Sequence, residues 1–119
     1  MHDNGQRTKY DSGAVREPSE GKGAYHLLPR VGVDRTAKIY EDGAKKYSSR
    51  NWEKGMPTSR FVDAMLRHAF KAAEGWTDED HLAAVVFNAF AIMYMETYKP
   101  EFDDRVKHTK EETTWNQHD

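Results

Sequence analysis

TDEDHLAAVVFNAFAIMYMETY, residues 77–98, is the stretch whose reading decides the fold. It is the longest periodic segment of the chain, and Pro100 bounds it on the far side. Thr77 followed three residues later by Asp80 reads as a capping box with Asp in place of the usual Glu or Gln. Asp78, Glu79 and Asp80 crowd the first turn, where the helix dipole favours negative charge. From Leu82 to Met95 the helix is apolar on nearly every side, the mark of a buried central helix. At 1.5 Å per residue it is about 33 Å long. His81, Val85, Asn88, Ile92 and Met95 fall on one face at spacings of 4, 3, 4 and 3. An imidazole and a carboxamide therefore share a stripe with aliphatic side chains. Buried polar groups need partners, and here those partners are either protein groups or a ligand.

Two shorter helices precede this one. Over residues 33–47, Val33, Ala37, Tyr40, Ala44 and Tyr47 form a stripe at spacings of 4, 3, 4 and 3. Gly43 inside it costs about 1 kcal/mol relative to Ala, which suggests a close approach by another helix or by a ligand. The next helix starts after Pro57, with Thr58 or Ser59 as its N-cap, and ends near Ala73 with Gly75 as the stop. Phe61, Met65, His68 and Ala72 share one face of it. A lone histidine on such a face is most often a satisfied core residue. Here an antiparallel pair joined at Gly75-Trp76 brings His68 and His81 within about a turn of each other along the bundle axis. The fold class is therefore all-α: a small helical bundle built around a long central helix.

The chain has 119 residues, enough for one domain. Its apolar residues concentrate in residues 25–98, leaving residues 1–24 as a Gly-rich polar arm and 99–119 as a polar C-terminal tail in which Trp115 is isolated. A folded unit of about 75 residues has a small core, and we expect homo-oligomerisation to complete it. The absence of cysteine excludes disulfides and thiolate metal sites. MHDNGQRTKY has no apolar h-region. His81, Asn88 and Glu96 argue against a membrane span in the long helix, so the expectation is an intracellular protein without a membrane partner. Residues 30–71 carry ten basic and five acidic side chains, while residues 72–119 carry four basic and eleven acidic. A basic middle of this size suits a small anionic ligand and not a nucleic-acid duplex, which asks for a domain of high pI.

The loop SSRNWEKGMP, residues 48–57, sets Trp52 among Arg50, Asn51, Glu53 and Lys54. Trp52 reads either as a plug at the end of the bundle or as a stacking platform for a base. The arm reads either as disordered or as a backbone nest for an anion; it contains no GxxxxGK[ST] motif. The chemistry-bearing constellation is Glu41, Lys46, Arg50, Asn51, Trp52, Arg67, His68, Glu74, Asp80, His81 and Asn88. Mg²⁺ prefers oxygen ligands, and Glu74 with Asp80 or Glu79 would supply them. No HExxH and no GxSxG is present.

Eight clusters, in order, resemble a known phage family. They are Ser12-Gly13-Ala14-Val15-Arg16; Gly21-Lys22-Gly23 with Tyr25 and Leu27-Leu28-Pro29; Gly43-Ala44-Lys45-Lys46-Tyr47; Arg50-Asn51-Trp52-Glu53-Lys54-Gly55; Ser59-Arg60-Phe61; Arg67-His68; Glu79-Asp80-His81-Leu82-Ala83-Ala84; and Asn88. The family is the one named for the dATP/dGTP diphosphohydrolase N-terminal domain, and the similarity spans about residues 12–98. The resemblance implies an all-α fold related to the MazG-like nucleotide pyrophosphohydrolases and a purine nucleotide ligand. It also implies Mg²⁺-dependent cleavage between the α- and β-phosphates, and a place in the cytoplasm of the infected bacterial host. In that wider group acidic ExxE and ExxD motifs hold the metal. This chain departs from the pattern: its ExxE is Glu17 to Glu20, in the arm, and its central helix offers Glu79 and Asp80 followed by His81.

On the resemblance, Lys22, Lys46, Arg50 and Arg67 would hold phosphates, and Trp52 or Tyr47 would stack on the base. His68, His81, Asn51 and Asn88 would line the pocket. Glu74 and Asp80 would hold metal, with His81 orienting water or phosphate. Arg16 and Lys22 would make the arm an ordered element that closes over the ligand or docks on a neighbouring subunit. Two functions follow from these residues. One is a dNTP pyrophosphohydrolase. The other is a non-catalytic sponge that sequesters a nucleotide, such as a cyclic immune signal, against host anti-phage defence. The missing acidic motifs favour the second, the family the first.

Overall fold

The structure, a computed structural model, describes residues 7–108. It opens with a hairpin of β1 (Thr8–Lys9) and β2 (Val15–Arg16), paired antiparallel with Thr8 opposite Arg16 and Lys9 opposite Val15. A 3₁₀ turn at Tyr25–Leu27 leads into α1 (Arg30–Lys46). A second 3₁₀ turn, Asn51–Lys54, precedes α2 (Thr58–Ala73) and α3 (His81–Tyr98), and a third covers Pro100–Phe102. The fold is all-α, with α2 and α3 forming the main pair and α1 laid against α3.

The N-cap of the long helix lies three residues later than the sequence suggested. Asp80 is not the far member of a capping box. It is the N-cap itself, accepting the Ala83 N–H at 3.1 Å. The same carboxylate receives Arg35 of α1 through two hydrogen bonds of 2.8 and 2.7 Å, so one residue both starts α3 and ties α1 to it. The start of α2 also differs from expectation. Pro57 occupies the N-cap position and no cap comes from Thr58 or Ser59. The free Ser59 N–H is satisfied by Asp104, at 2.8 Å, from beyond α3.

This cap shows that the fold does not stop at Tyr98. Residues 100–105 turn back across the helix ends. Phe102 lies against Gly55, Asp104 caps α2, and Arg105 bridges Asp103 and Glu96 of α3. Trp115 lies outside the described residues.

Phe61, Ala91, Ile92 and Met95 make the buried core, with Trp52, Met56, Val62, Met65 and Tyr94 packed against it. His81, Asn88, Ile92 and Met95 of the expected α3 stripe are buried. The helix is not buried all round, however, because Leu82, Val86, Phe90 and Met93 face outward. In α1 the expected stripe is out of phase. Thr36 is buried, Ile39, Tyr40 and Gly43 are half-buried, and Val33 and Tyr47 are exposed. Thr36 can occupy the interface because its hydroxyl donates to the Gly32 carbonyl at 2.8 Å, leaving no orphan donor. Apart from its chain neighbours and its own helix backbone, no atom of the described residues stands within 4 Å of the position a Cβ on Gly43 would take, so that glycine borders open space instead of a helix crossing. No helix among the described residues is long and apolar enough to cross a membrane.

Candidate functional site

The open space beside Gly43 is a cleft of about 910 Å³ between the C-terminal half of α1, the loop that follows it, and the first half of α3. That volume lies within the range of small-molecule sites, roughly 300–1,000 Å³. From α1 come Tyr40, Glu41, Asp42 and Lys46, and from the loop Tyr47, Arg50, Asn51, Trp52 and Glu53. Phe61 and His68 of α2 contribute, and Glu79, Phe87 and Asn88 complete the wall.

The loop is held in place by its aromatic residue and by a strained cation. Trp52 meets Tyr40 and Phe87 edge-on at 6.1 Å and Tyr94 at 5.0 Å. It is therefore built into the end of the bundle, and it also lines the cleft. Tyr47, also in the lining, is the exposed ring. Arg50 adopts a left-handed backbone, φ 63° and ψ 21°, alone among the described non-glycine residues. Such an outlier marks a position over-determined by its surroundings. The Arg50 guanidinium donates to Glu53 at 2.8 Å, which fixes both charges at the mouth of the cleft. Burial, followed by the neighbouring Glu53 carboxylate, pushes the Tyr40 phenol up.

A row of polar groups approaches the cleft from the α2–α3 connection. Asp78 Oδ1 lies 2.7 Å from His81 Nε2, and His81 Nδ1 lies 2.9 Å from His68 Nδ1. His81 is 2% exposed. The hydrogen bond from His81 holds the Asp78 carboxyl below its ordinary range. Burial pulls His68 below the usual imidazole value. Further along α3, Asn88 is buried and donates to the Ala84 carbonyl at 2.8 Å.

Lys46, Tyr47, Arg50, Asn51, Trp52, His68 and Asn88, singled out from sequence, all meet in this one cleft. Arg16 and Lys22, in and after the hairpin, and Arg67, on the exposed side of α2, are not part of its lining. Glu74 and Asp80 do not line it either. Glu74 accepts the Trp76 indole N–H at 2.9 Å, and Asp80 is engaged by Arg35 and the Ala83 amide. Among the described residues, one group of three potential ligands has its atoms within 4.8 Å of one another: Asp78, Glu79 and His81. Two of its members are already hydrogen-bonded to each other. The sequence reading passed over Glu53 as a site residue, although it is adjacent to Trp52. It also passed over Tyr40 and Phe87, whose aromatic character reads equally well as core.

The chain matches the family described as dATP/dGTP diphosphohydrolase, N-terminal, over residues 12–105. The match ends where the returning segment ends, at Arg105. No curated protein and no solved structure matches the chain.

Proposed function

The chain belongs to the dATP/dGTP diphosphohydrolase N-terminal family, and on that premise we propose that it is a Mg²⁺-dependent diphosphohydrolase of purine deoxynucleoside triphosphates. One observation carries the reading: Lys46 and Arg50, the rings of Tyr47 and Trp52, and the carboxylates of Glu41 and Glu53 share a single nucleotide-sized cleft. Lys46 and Arg50 bind the triphosphate by charge-assisted hydrogen bonds. Tyr47 covers the purine face, and Asn51 and Asn88 offer amide groups to its edge. Mg²⁺ is bound through one or two carboxylates plus substrate phosphates. Glu41 and Glu53 fit that requirement by donor type and by their place beside the cations, and in this reading they take the role given to Glu74 and Asp80 from sequence. The ion would neutralise charge developing on the phosphates.

We place the working form as a homo-oligomer. The support is the outward stripe Leu82, Val86, Phe90 and Met93 on α3, together with a core too small for three helices to stand alone.

Incubation of the protein with dATP, dGTP, ATP, GTP and cyclic di- and trinucleotides in Mg²⁺, followed by chromatography, tests the activity. The expected products are deoxynucleoside monophosphate and pyrophosphate, and EDTA abolishes them. A nucleotide depleted by the native protein and recovered whole on denaturation establishes sequestration instead and overturns the hydrolase reading.

A further inference from the structure

With His81 neutral, the row Asp78, His81, His68 takes one direction, set by hydrogen-bond chemistry. An ionised carboxylate only accepts, and Asp78 lies 2.7 Å from His81 Nε2. The proton of that bond therefore sits on His81 Nε2. A neutral imidazole with its proton on Nε2 has a lone pair on Nδ1. The 2.9 Å contact between the two Nδ1 atoms is then a hydrogen bond donated by His68. His68 Nδ1 carries the proton, and His68 Nε2, on a ring that lines the cleft, is left as an acceptor.

We propose that Asp78, His81 and His68 form a proton relay in which His68 Nε2 takes the proton of the water that attacks the α-phosphorus of the bound nucleotide. The proposal rests on the hydrolase reading and adds to it the general base. As the water oxygen bonds to phosphorus, the bond to the bridging oxygen breaks and pyrophosphate departs with that electron pair. The water proton goes to His68 Nε2. The proton on His68 Nδ1 passes along the 2.9 Å bond to His81 Nδ1, and His81 becomes an imidazolium hydrogen-bonded to the Asp78 carboxylate. The buried position of His81 is then an advantage. The charge formed by the reaction ends inside the protein, beside its counter-ion and away from the phosphates.

The surroundings of His68 favour its neutral form. Burial, His81, Arg67 and Lys71 disfavour its charged form, and Glu79 alone favours it. His68 is the catalytic residue in this scheme, and His81 and Asp78 are positioning residues.

Two measurements test the relay. Long-range ¹H–¹⁵N correlation spectra of the protein labelled at histidine report which ring nitrogen carries the proton, with His68→Gln and His81→Gln supplying the assignments. The expected resting state is His81 protonated on Nε2 and His68 on Nδ1. A His68 protonated on Nε2 overturns the relay whether or not the protein hydrolyses anything. The second measurement is steady-state hydrolysis. His68→Gln is expected to lower kcat by about 100-fold or more with KM little changed, the size of a lost general base. Asp78→Asn, whose amide can donate to His81 and reverse the row so that His68 Nε2 carries the proton, is expected to lower kcat by a comparable factor, also at unchanged KM. Wild-type kcat in His68→Gln overturns the assignment of the base. The expected tautomers in a wild-type protein without hydrolysis overturn the proton transfer together with the reading it rests on.

Discussion

Arg50 combines a strained backbone with a charged side chain at the cleft. Its left-handed backbone costs roughly 1 kcal/mol for a residue with a Cβ, and the return is a guanidinium set at the cleft beside Glu53. Stability and function should therefore separate there. Arg50→Gly is expected to melt higher than Arg50→Ala, by about 1 kcal/mol of unfolding free energy, while both lose nucleotide affinity. Equal melting temperatures would show that the left-handed conformation is not held in solution. Asp80 gives a second prediction. Its carboxyl, bound chiefly by Arg35 and also by the Ala83 amide, is lowered to about 2. The unfolded value is about 3.9, so the unfolded chain binds the proton more readily. The stability Asp80 supplies is then present above about pH 4 and is lost as the pH falls towards 2. Asp80→Asn is expected to flatten the fall in urea midpoint across that window, and an unchanged slope would remove Asp80 from the account. Much of the cleft lining was legible in single residues, because Lys46, Arg50, Asn51, Trp52 and His68 are residue types that rarely need to gather around one hollow. Glu74 and Asp80 were harder to place, because an acid near a helix end reads the same whether it caps, pairs with an arginine or binds a metal.

At the scale of elements, α2 and α3 were readable because their apolar spacing is long and uninterrupted, and the pairing of His68 with His81 followed from the short turn between them. The phase of α1 was not readable. A threonine that bonds back to its own helix buries as readily as an alanine, and spacing alone does not distinguish the two. The cap of α2 was hidden for a different reason: it comes from Asp104, 45 positions away in the chain. The returning segment also makes a prediction about the loop. Gly55 has φ 107°, and a Cβ there would stand 2.5 Å from the Phe102 ring. Gly55→Ala is expected to cost about 1–3 kcal/mol from backbone strain, with further loss from displacing Phe102. The loop carrying Trp52 and Arg50 shifts with it. A thermal melt matching wild type would mean that Phe102 does not pack there.

On the scale of the whole molecule, an outward stripe of Leu82, Val86, Phe90 and Met93 stands on a helix whose other side holds the core. Light scattering behind size exclusion is expected to give a mass above the 13.8 kDa of one chain, and Phe90→Ser is expected to lower it with α-helical content retained. A monomer at tens of micromolar would leave the stripe without the partner assigned to it. In the proposed function, the cleft between α1, its following loop and α3 is where a purine nucleotide binds. The most direct measurement is a titration of ¹⁵N-labelled protein with α,β-methylene-dGTP and Mg²⁺, followed by amide, indole and imidazole shifts. Saturable shifts are expected at Lys46, Tyr47, Arg50, Asn51, the Trp52 indole, His68 and Asn88. Shifts confined to Arg16 and Lys22 or to the turn at Gly75, or no shifts at millimolar ligand, would contradict binding in the cleft.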